Sequence, residues 1–299
     1  MTANRTRVPA SLASALAETD LDVDGCAWAR HRIETSRVAL RIGGDAVVAT
    51  LARLMNRRGW AIAALPSAFP AALLRRAAAG VLAGFGIPFF SIDGGQGLWL
   101  DGLSEPQRDP ASFGGFGAQS LHIDAPNVTA PPDYTSLLML RPDPAGGGTS
   151  VLGNLRDAVA TPDAAEREVL RRKEFFEGRA DGLCGVGEPL LPFPVLDNDS
   201  GTGWIRRAGK MLTDPRNRPH LPVLQRFATA LEKTVTRVRL RHGEVLIVDQ
   251  RRVAHGRDAL GPQGTVAPEQ RRLLCQAKVR AESAAPVRRS MQPHCGSAA

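Results

Sequence analysis

The amino-acid sequence predicts a β-rich α+β fold, an antiparallel core of the double-stranded β-helix (jelly-roll) type with flanking helices. Helical patterns rich in alanine and leucine fill the first 58 residues, and short apolar segments separated by glycine and proline crowd the second half. Helices first and then many short strands is the ordering of an α+β protein, and short strands of this kind close most readily as a jelly roll. No internal repeat interrupts the pattern.

Residues 47–55 carry apolar side chains at helical spacing and stop at Arg57-Arg58-Gly59. Residues 60–65 form a short apolar run closed by Pro66-Ser67, the profile of a buried strand. Residues 71–82 read as a helix stopped by Gly84 and Gly86, and 97–103 as a strand. A glycine-rich stretch over 112–117 leads into the alternation Leu121-His122-Ile123-Asp124. Residues 136–141 are a strand ended by Pro142-Asp143-Pro144 and three glycines, and 149–152 are another. A helix is expected from 155 through to 172. Residues 177–203, rich in Gly, Pro, Asp and Asn, read as a lid-like insert, because so long a loop in a compact domain is commonly functional or disordered. A further helix over 220–235 and strands over 238–240, 245–248 and 273–279 complete the pattern. The expected organisation is a helical region (1–58) packing on the core, a jelly-roll domain (59–281) and a disordered tail (282–299).

Composition removes several classes of function. With 43% apolar and 23% charged residues the chain has material for a core. It has no apolar run near the ~18 residues that a membrane span needs. Basic residues near the N-terminus lack an apolar segment behind them, so no secretory signal is read there, and the expected location is the cytoplasm. Cys26, Cys184, Cys275 and Cys295 lie far apart with no CxxC pair, against both a zinc site and a disulfide framework. The net charge of +8 raises the question of nucleic acid. Yet only Lys173, Lys210, Lys233 and Lys278 are lysines, the arginines are scattered, and aromatics are 5%, so base-stacking platforms are scarce. An anionic small molecule is the better use of that charge.

Of the six histidines, His31, His220, His242 and His294 sit in polar, terminal or helix-start contexts. His122 and Asp124 are two apart in an extended segment, so both side chains project from one face. His255 follows the strand-like run Gly243-Glu244-Val245-Leu246-Ile247-Val248-Asp249. Two imidazoles and one carboxylate form the facial set that holds non-haem iron(II) and leaves open positions. Taken alone, His-x-Asp reads more readily as a polar strand end than as a metal site.

The surrounding text adds to this. His122-Ile123-Asp124, then PPDYTSLLMLRPDPAGGGTSVLGNLRDAV, GEVLIVDQRRVAHG and QRRLLCQAKV follow in order. The chain thereby resembles the taurine dioxygenase and clavaminate synthase group of 2-oxoglutarate-dependent oxygenases, from about Gly59 to Val279, with a general match before Gly114 and specific motifs after it. The resemblance implies a jelly-roll oxygenase with Fe(II) on His122, Asp124 and His255, 2-oxoglutarate as co-substrate, and O2. It implies that Thr149, after the glycine cluster, helps hold the distal carboxylate of 2-oxoglutarate. Arg271 and Arg272 are both candidates for the salt bridge to that carboxylate, and the motif favours Arg272, 17 residues after His255. Some members carry a second arginine four residues further on for an acidic substrate, where this chain has Gln276, so a sulfonate anchored in that manner is not expected. Halogenating relatives lack the first-motif carboxylate, and the presence of Asp124 points to oxygenation instead.

Candidate substrate residues are Gln119, Ser120, Asn127, Arg207 and Gln276, the first three balanced against local backbone roles and Arg206-Arg207 against a solvated charged pair. The expected activity is hydroxylation, desaturation or cyclisation at a C–H bond of an amino acid or similar small polar metabolite in natural-product biosynthesis. The competing classes are a non-catalytic cupin-like binding protein and a basic nucleic-acid-binding module. An intact ligand set argues against the first, and the second has only net charge behind it.

Overall fold

The computed structural model describes residues 4–18, 44–89, 98–128, 130–177, 192–197 and 203–281. Most of the insert expected at 177–203, the tail expected at 282–299, and His31, His294, Cys26, Cys184 and Cys295 lie outside the described residues. In chain order the first strands are β1 (Arg5–Arg7), β2 (Trp60–Ala64), β3 (Ile87–Pro88), β4 (Leu100–Leu103), β5 (Gln119–His122), β6 (Tyr134–Arg141) and β7 (Ser150–Asn154). They are followed by β8 (Leu196–Asp197), β9 (Trp204–Ile205), β10 (Thr236–Val238), β11 (Glu244–Asp249), β12 (Val253–Arg257) and β13 (Leu273–Arg280). The helices are α1 (Ala10–Glu18), α2 (Gly44–Arg58), α3 (Ala71–Ala83), α4 (Leu155–Val159), α5 (Ala164–Arg171) and α6 (Leu221–Glu232).

A seven-stranded sheet runs in the order β1-β2-β11-β6-β13-β3, with β4 also paired to β13, and faces a four-stranded sheet ordered β10-β7-β12-β5. Pairing is antiparallel except between β1 and β2. The two faces of the large sheet follow the strand period of two. Ile62, Leu137, Met139, Leu246, Val248 and Leu274 meet Leu152 and Val253 of the small sheet in a core between the layers. Ala61, Ala63, Leu138, Val245, Ile247, Cys275 and Val279 point the other way, into a second core capped by Leu12 and Leu16 of α1 and Leu74, Ala78 and Leu82 of α3. The outer face of the small sheet, with Val151 and Ala254, is covered by Leu155, Leu170, Phe227 and Leu231. The result is a jelly roll with helices on both outer faces, as the sequence predicts.

Three local differences have physical causes. Residues 155–172 form two helices where one continuous helix is expected, because Pro162 follows the first and Asp163 starts the second with a capping box to Glu166. Residues 5–7 (Arg-Thr-Arg) add an edge strand in a region read as helical, since a three-residue polar strand shows no periodicity. Strand β12, which carries His255, is too rich in small residues to have been read as a strand. No helix among the described residues is long and apolar enough to cross a membrane.

The inter-sheet core bears the stability. Leu246 is fully buried while Ile87 is 40% exposed. Leu246→Ala is expected to cost about 2–5 kcal/mol in chemical denaturation. Ile87→Ala is expected to stay within about 0.5 kcal/mol.

Candidate metal and co-substrate site

Strands β5 and β12 bring the first two candidate ligands together. Antiparallel pairing sets His255 directly opposite His122, with the two rings 4.4 Å apart at their centroids. Asp124 lies just past the end of β5, in a bend rather than in the strand, and the next residue, Ala125, takes φ 50°. Its carboxylate nevertheless converges on the imidazoles: Asp124 Oδ1 is 4.0 Å from His122 Nε2 and 3.8 Å from His255 Nε2. One donor atom from each of the three residues lies within 4.8 Å of the others. Two metal–ligand bonds of about 2.1 Å span at most about 4.2 Å, so the cluster is of a size to close on one ion.

The chemistry of the three groups suits a metal. His122 Nδ1 lies 2.8 Å from the Ser120 carbonyl oxygen, which assigns the proton to that nitrogen and leaves Nε2 as the lone pair facing Asp124. Burial pushes His255 down to about 3, outweighing the attraction of Asp124, so its imidazole is neutral. Burial would raise Asp124, but the charges of Lys278, His255 and His122 and a hydrogen bond from Thr135 prevail and hold it at about 2. A neutral imidazole and an ionised carboxylate are the forms that coordinate.

Two glutamines fix Asp124. Gln250 Oε1 accepts the Asp124 backbone N–H at 2.6 Å, and Gln250 Nε2 donates to the Pro132 carbonyl at 2.8 Å. Gln276 Nε2 donates towards both carboxylate oxygens, at 3.1 and 3.3 Å, and lies 3.2 Å from Thr135 Oγ1. Gln276 is therefore an orienting partner of a ligand. Gln250 was not singled out from the sequence, where it is one more polar residue after a strand.

The three ligands share a cavity between the sheets with Gln119, Ser150, Arg257, Arg272 and Gln276. Arg272, which immediately precedes β13, lines the cavity with Leu274 and Gln276, while Leu273 and Cys275 face outwards. Arg272 is 1% exposed, and Arg271 instead lies over the Phe116 ring, with its Nε donating to the Val266 carbonyl. Burial first, and then the charge of Arg257, push the Arg272 guanidinium down to about 9. Ser150 lines the cavity and Thr149 does not; the Thr149 carbonyl accepts the Asp258 N–H instead.

Of the remaining candidates, Gln119 lines the cavity, whereas Ser120 Oγ donates to the Gly209 carbonyl at 3.2 Å and Asn127 is half-buried outside it. Arg206 and Arg207 are both 4% exposed, which overturns the solvated-pair alternative. Arg206 is held by Asp197 and by the Pro126 and Val128 carbonyls. Arg207 runs beside the site, its carbonyl accepting the Ile123 N–H at 2.8 Å. Glu177, unremarked in the sequence, has a buried Oε2 without a hydrogen-bond partner among the described residues. Burial and then the charge of Asp124 push its carboxyl up to about 7, against Lys210 and Arg207. His220 pairs with Glu174 at 3.0 Å and His242 Nδ1 meets the Leu140 carbonyl oxygen at 2.7 Å, so both have structural partners away from the cluster.

Metal affinity measured by calorimetry should collapse in His122→Ala, Asp124→Ala and His255→Ala and persist in His220→Ala. Gln276→Leu, which removes only the donor to Asp124, should weaken affinity by about 10–100-fold, the usual effect of losing such an outer partner.

No protein-family model matches the chain, and no curated protein matches it. Solved structures do. Asparagine oxygenase in complex with Fe(II), 2S,3S-3-hydroxyasparagine and succinate superposes with a TM-score of 0.74 at 21% identity, covering 93% of each chain. The non-haem iron oxygenase OrfP in complex with Fe and alpha-ketoglutaric acid gives 0.69 at 17% identity, over 92% of this chain and 93% of that one. OrfP with Fe, succinate and (3S)-hydroxy-L-Arg gives 0.69 at 18%, over the same shares. Along nearly its whole length, this chain has the fold of these non-haem iron oxygenases.

Proposed function

We propose that the chain is an Fe(II)- and 2-oxoglutarate-dependent oxygenase that hydroxylates a C–H bond of an amino acid or similarly small polar metabolite, as a tailoring step in natural-product biosynthesis. The observation that carries this reading is the presence, in one buried cavity, of the His122, Asp124 and His255 donors together with the unpaired guanidinium nitrogens of Arg272. The structures it resembles contain iron, 2-oxoglutarate or succinate and hydroxylated amino acids, which supports an amino acid as substrate class.

Bound iron(II) would supply the site for O2 and for oxidative decarboxylation of 2-oxoglutarate to succinate and carbon dioxide. The protein's own part is to hold and to exclude. Two histidines and one carboxylate take one face of an ion and leave the rest open. Gln250 and Gln276 keep Asp124 aimed, and Phe113, Leu137 and Leu274 close the cavity with apolar surface. Arg272 would pair the distal carboxylate of 2-oxoglutarate through its planar fork. The hydroxyl placed on the cavity wall to assist it is that of Ser150, with Thr149 one residue behind. A reducing cytoplasm suits the buried Cys275 and ferrous iron alike.

Succinate release from 2-oxoglutarate, in the presence of Fe(II), ascorbate and a panel of amino acids, tests the reading. Asp124→Ala should abolish release, and full activity in that variant would end the assignment. Arg272→Ala leaves a buried charge on the co-substrate unpaired, at a cost of about 3–5 kcal/mol. Its apparent KM for 2-oxoglutarate should therefore rise by two orders of magnitude or more, while Arg271→Ala changes it little. Ser150→Ala should raise that KM more than Thr149→Ala does. The opposite ranking would return the hydroxyl role to Thr149.

A further inference from the structure

The cavity holds more positive charge than one carboxylate ligand on one arginine requires. Arg257 follows His255 on the inner face of β12 and lines the same cavity as Arg272. It is 3% exposed. Its Nη2 is used, donating to the Gly115 carbonyl at 2.8 Å and to that of Gly117. Its Nε and Nη1 are buried and make no hydrogen bond among the described residues, and the same holds for Nε and Nη1 of Arg272. Neither arginine forms an ion pair there.

The one carboxylate whose charge acts on both is Asp143, and it is already engaged. Asp143 accepts the Gly147 and Gly261 backbone N–H groups at 2.9 and 2.7 Å, the Ala145 N–H at 3.1 Å and Gln263 Nε2 at 2.9 Å. Two buried like charges repel, and four buried guanidinium nitrogens without hydrogen-bond partners are costly unless a ligand meets them. Strand register places Ser150 and Gln119 on either side of Arg257. Gly148 lets the loop approach the other guanidinium: a Cβ there would lie 3.1 Å from Arg272 Nε.

We propose that Arg257 and Arg272 form a two-guanidinium cradle for the distal carboxylate of the 2-oxo acid, and that Arg257 is the residue that makes the site select a dicarboxylate over a monocarboxylate. This rests on the proposed oxygenase reading and adds a specificity residue to it. Arg257 also ties down the loop at Gly115 and Gly117, so its role must be separated from a structural one.

Calorimetric titration of the iron(II)-loaded chain without oxygen makes the separation. The probes are 2-oxoglutarate and 2-oxobutyrate, which share the 2-oxo acid head and differ in the second carboxylate. The wild type should bind 2-oxoglutarate far more tightly. Arg257→Gln should weaken 2-oxoglutarate about 10- to 150-fold, the equivalent of one charged hydrogen bond of about 1.5–3 kcal/mol, and change 2-oxobutyrate less than about threefold. Arg257→Lys, which keeps the charge and loses the fork, should fall between wild type and Arg257→Gln for 2-oxoglutarate alone. Equal weakening of both probes in either variant, or no weakening, overturns the role of Arg257; a wild type that does not discriminate overturns the cradle. Succinate release by the wild type is scored separately. Its absence counts against the oxygenase reading and leaves the dicarboxylate result standing by itself.

Discussion

In the four-stranded sheet, β12 lies between β7 and β5, and antiparallel pairing sets His255 against His122 on one side and Leu152 on the other. Side chains alternate along a strand, so a slip of one residue would turn His255 and Arg257 to the outer face and bring Ala254 and Gly256 inside. The register is held from both sides: Val253 belongs to the core between the sheets and Ala254 to the core beneath the helices. Gly256 leaves no room for an alternative, since a Cβ there would lie 2.6 Å from the Gln119 carbonyl oxygen. The irregularity between His255 and Arg257 falls on β5 between His122 and Gln119, and Asp124 comes from the bend that follows the strand.

Electrostatics divide the cavity into two halves. At one end an ionised carboxylate and two imidazoles offer donors to a cation; at the other, two guanidiniums offer donors to an anion. Asp124, His255, Arg257 and Arg272 are buried, so each half is expensive until filled. A ligand that is both a chelating oxo acid and a carboxylate at its far end answers both demands at once. Lys278, further along the inner side of β13, adds a charge felt by Asp124 and His255 and helps keep the carboxylate ionised and the imidazole neutral.

Supporting residues account for much of the precision. Gln250, just past the end of β11, and Gln276, within β13, reach Asp124 from distant parts of the sequence, and Asp143 gathers the glycine loop beside the arginines. Such partners hold candidate donors in orientation without themselves coordinating a metal.

The alternating apolar runs of β6, β11 and β13 announce buried strands by themselves, and the ordered motifs around His122, Asp124, His255 and Arg272 point to the chemistry from sequence alone. The resemblance of the last motif also favours Arg272 over Arg271. What the chain could not declare is which polar residues meet. Gln276 and Asp124 are 152 positions apart, and Gln276 reads in the sequence as a residue for substrate until the fold turns it onto a ligand. Arg257 looks like one of many scattered arginines, and only its burial, with Nε and Nη1 making no hydrogen bond among the described residues, distinguishes it. Ser150 and Thr149 are neighbouring hydroxyl residues in the sequence, and the pairing of β7 with β12 sets Ser150 opposite Arg257. Local periodicity is written in the sequence because it follows from backbone geometry. The partners of buried charges are decided by tertiary structure, since they depend on which strands the sheet makes neighbours.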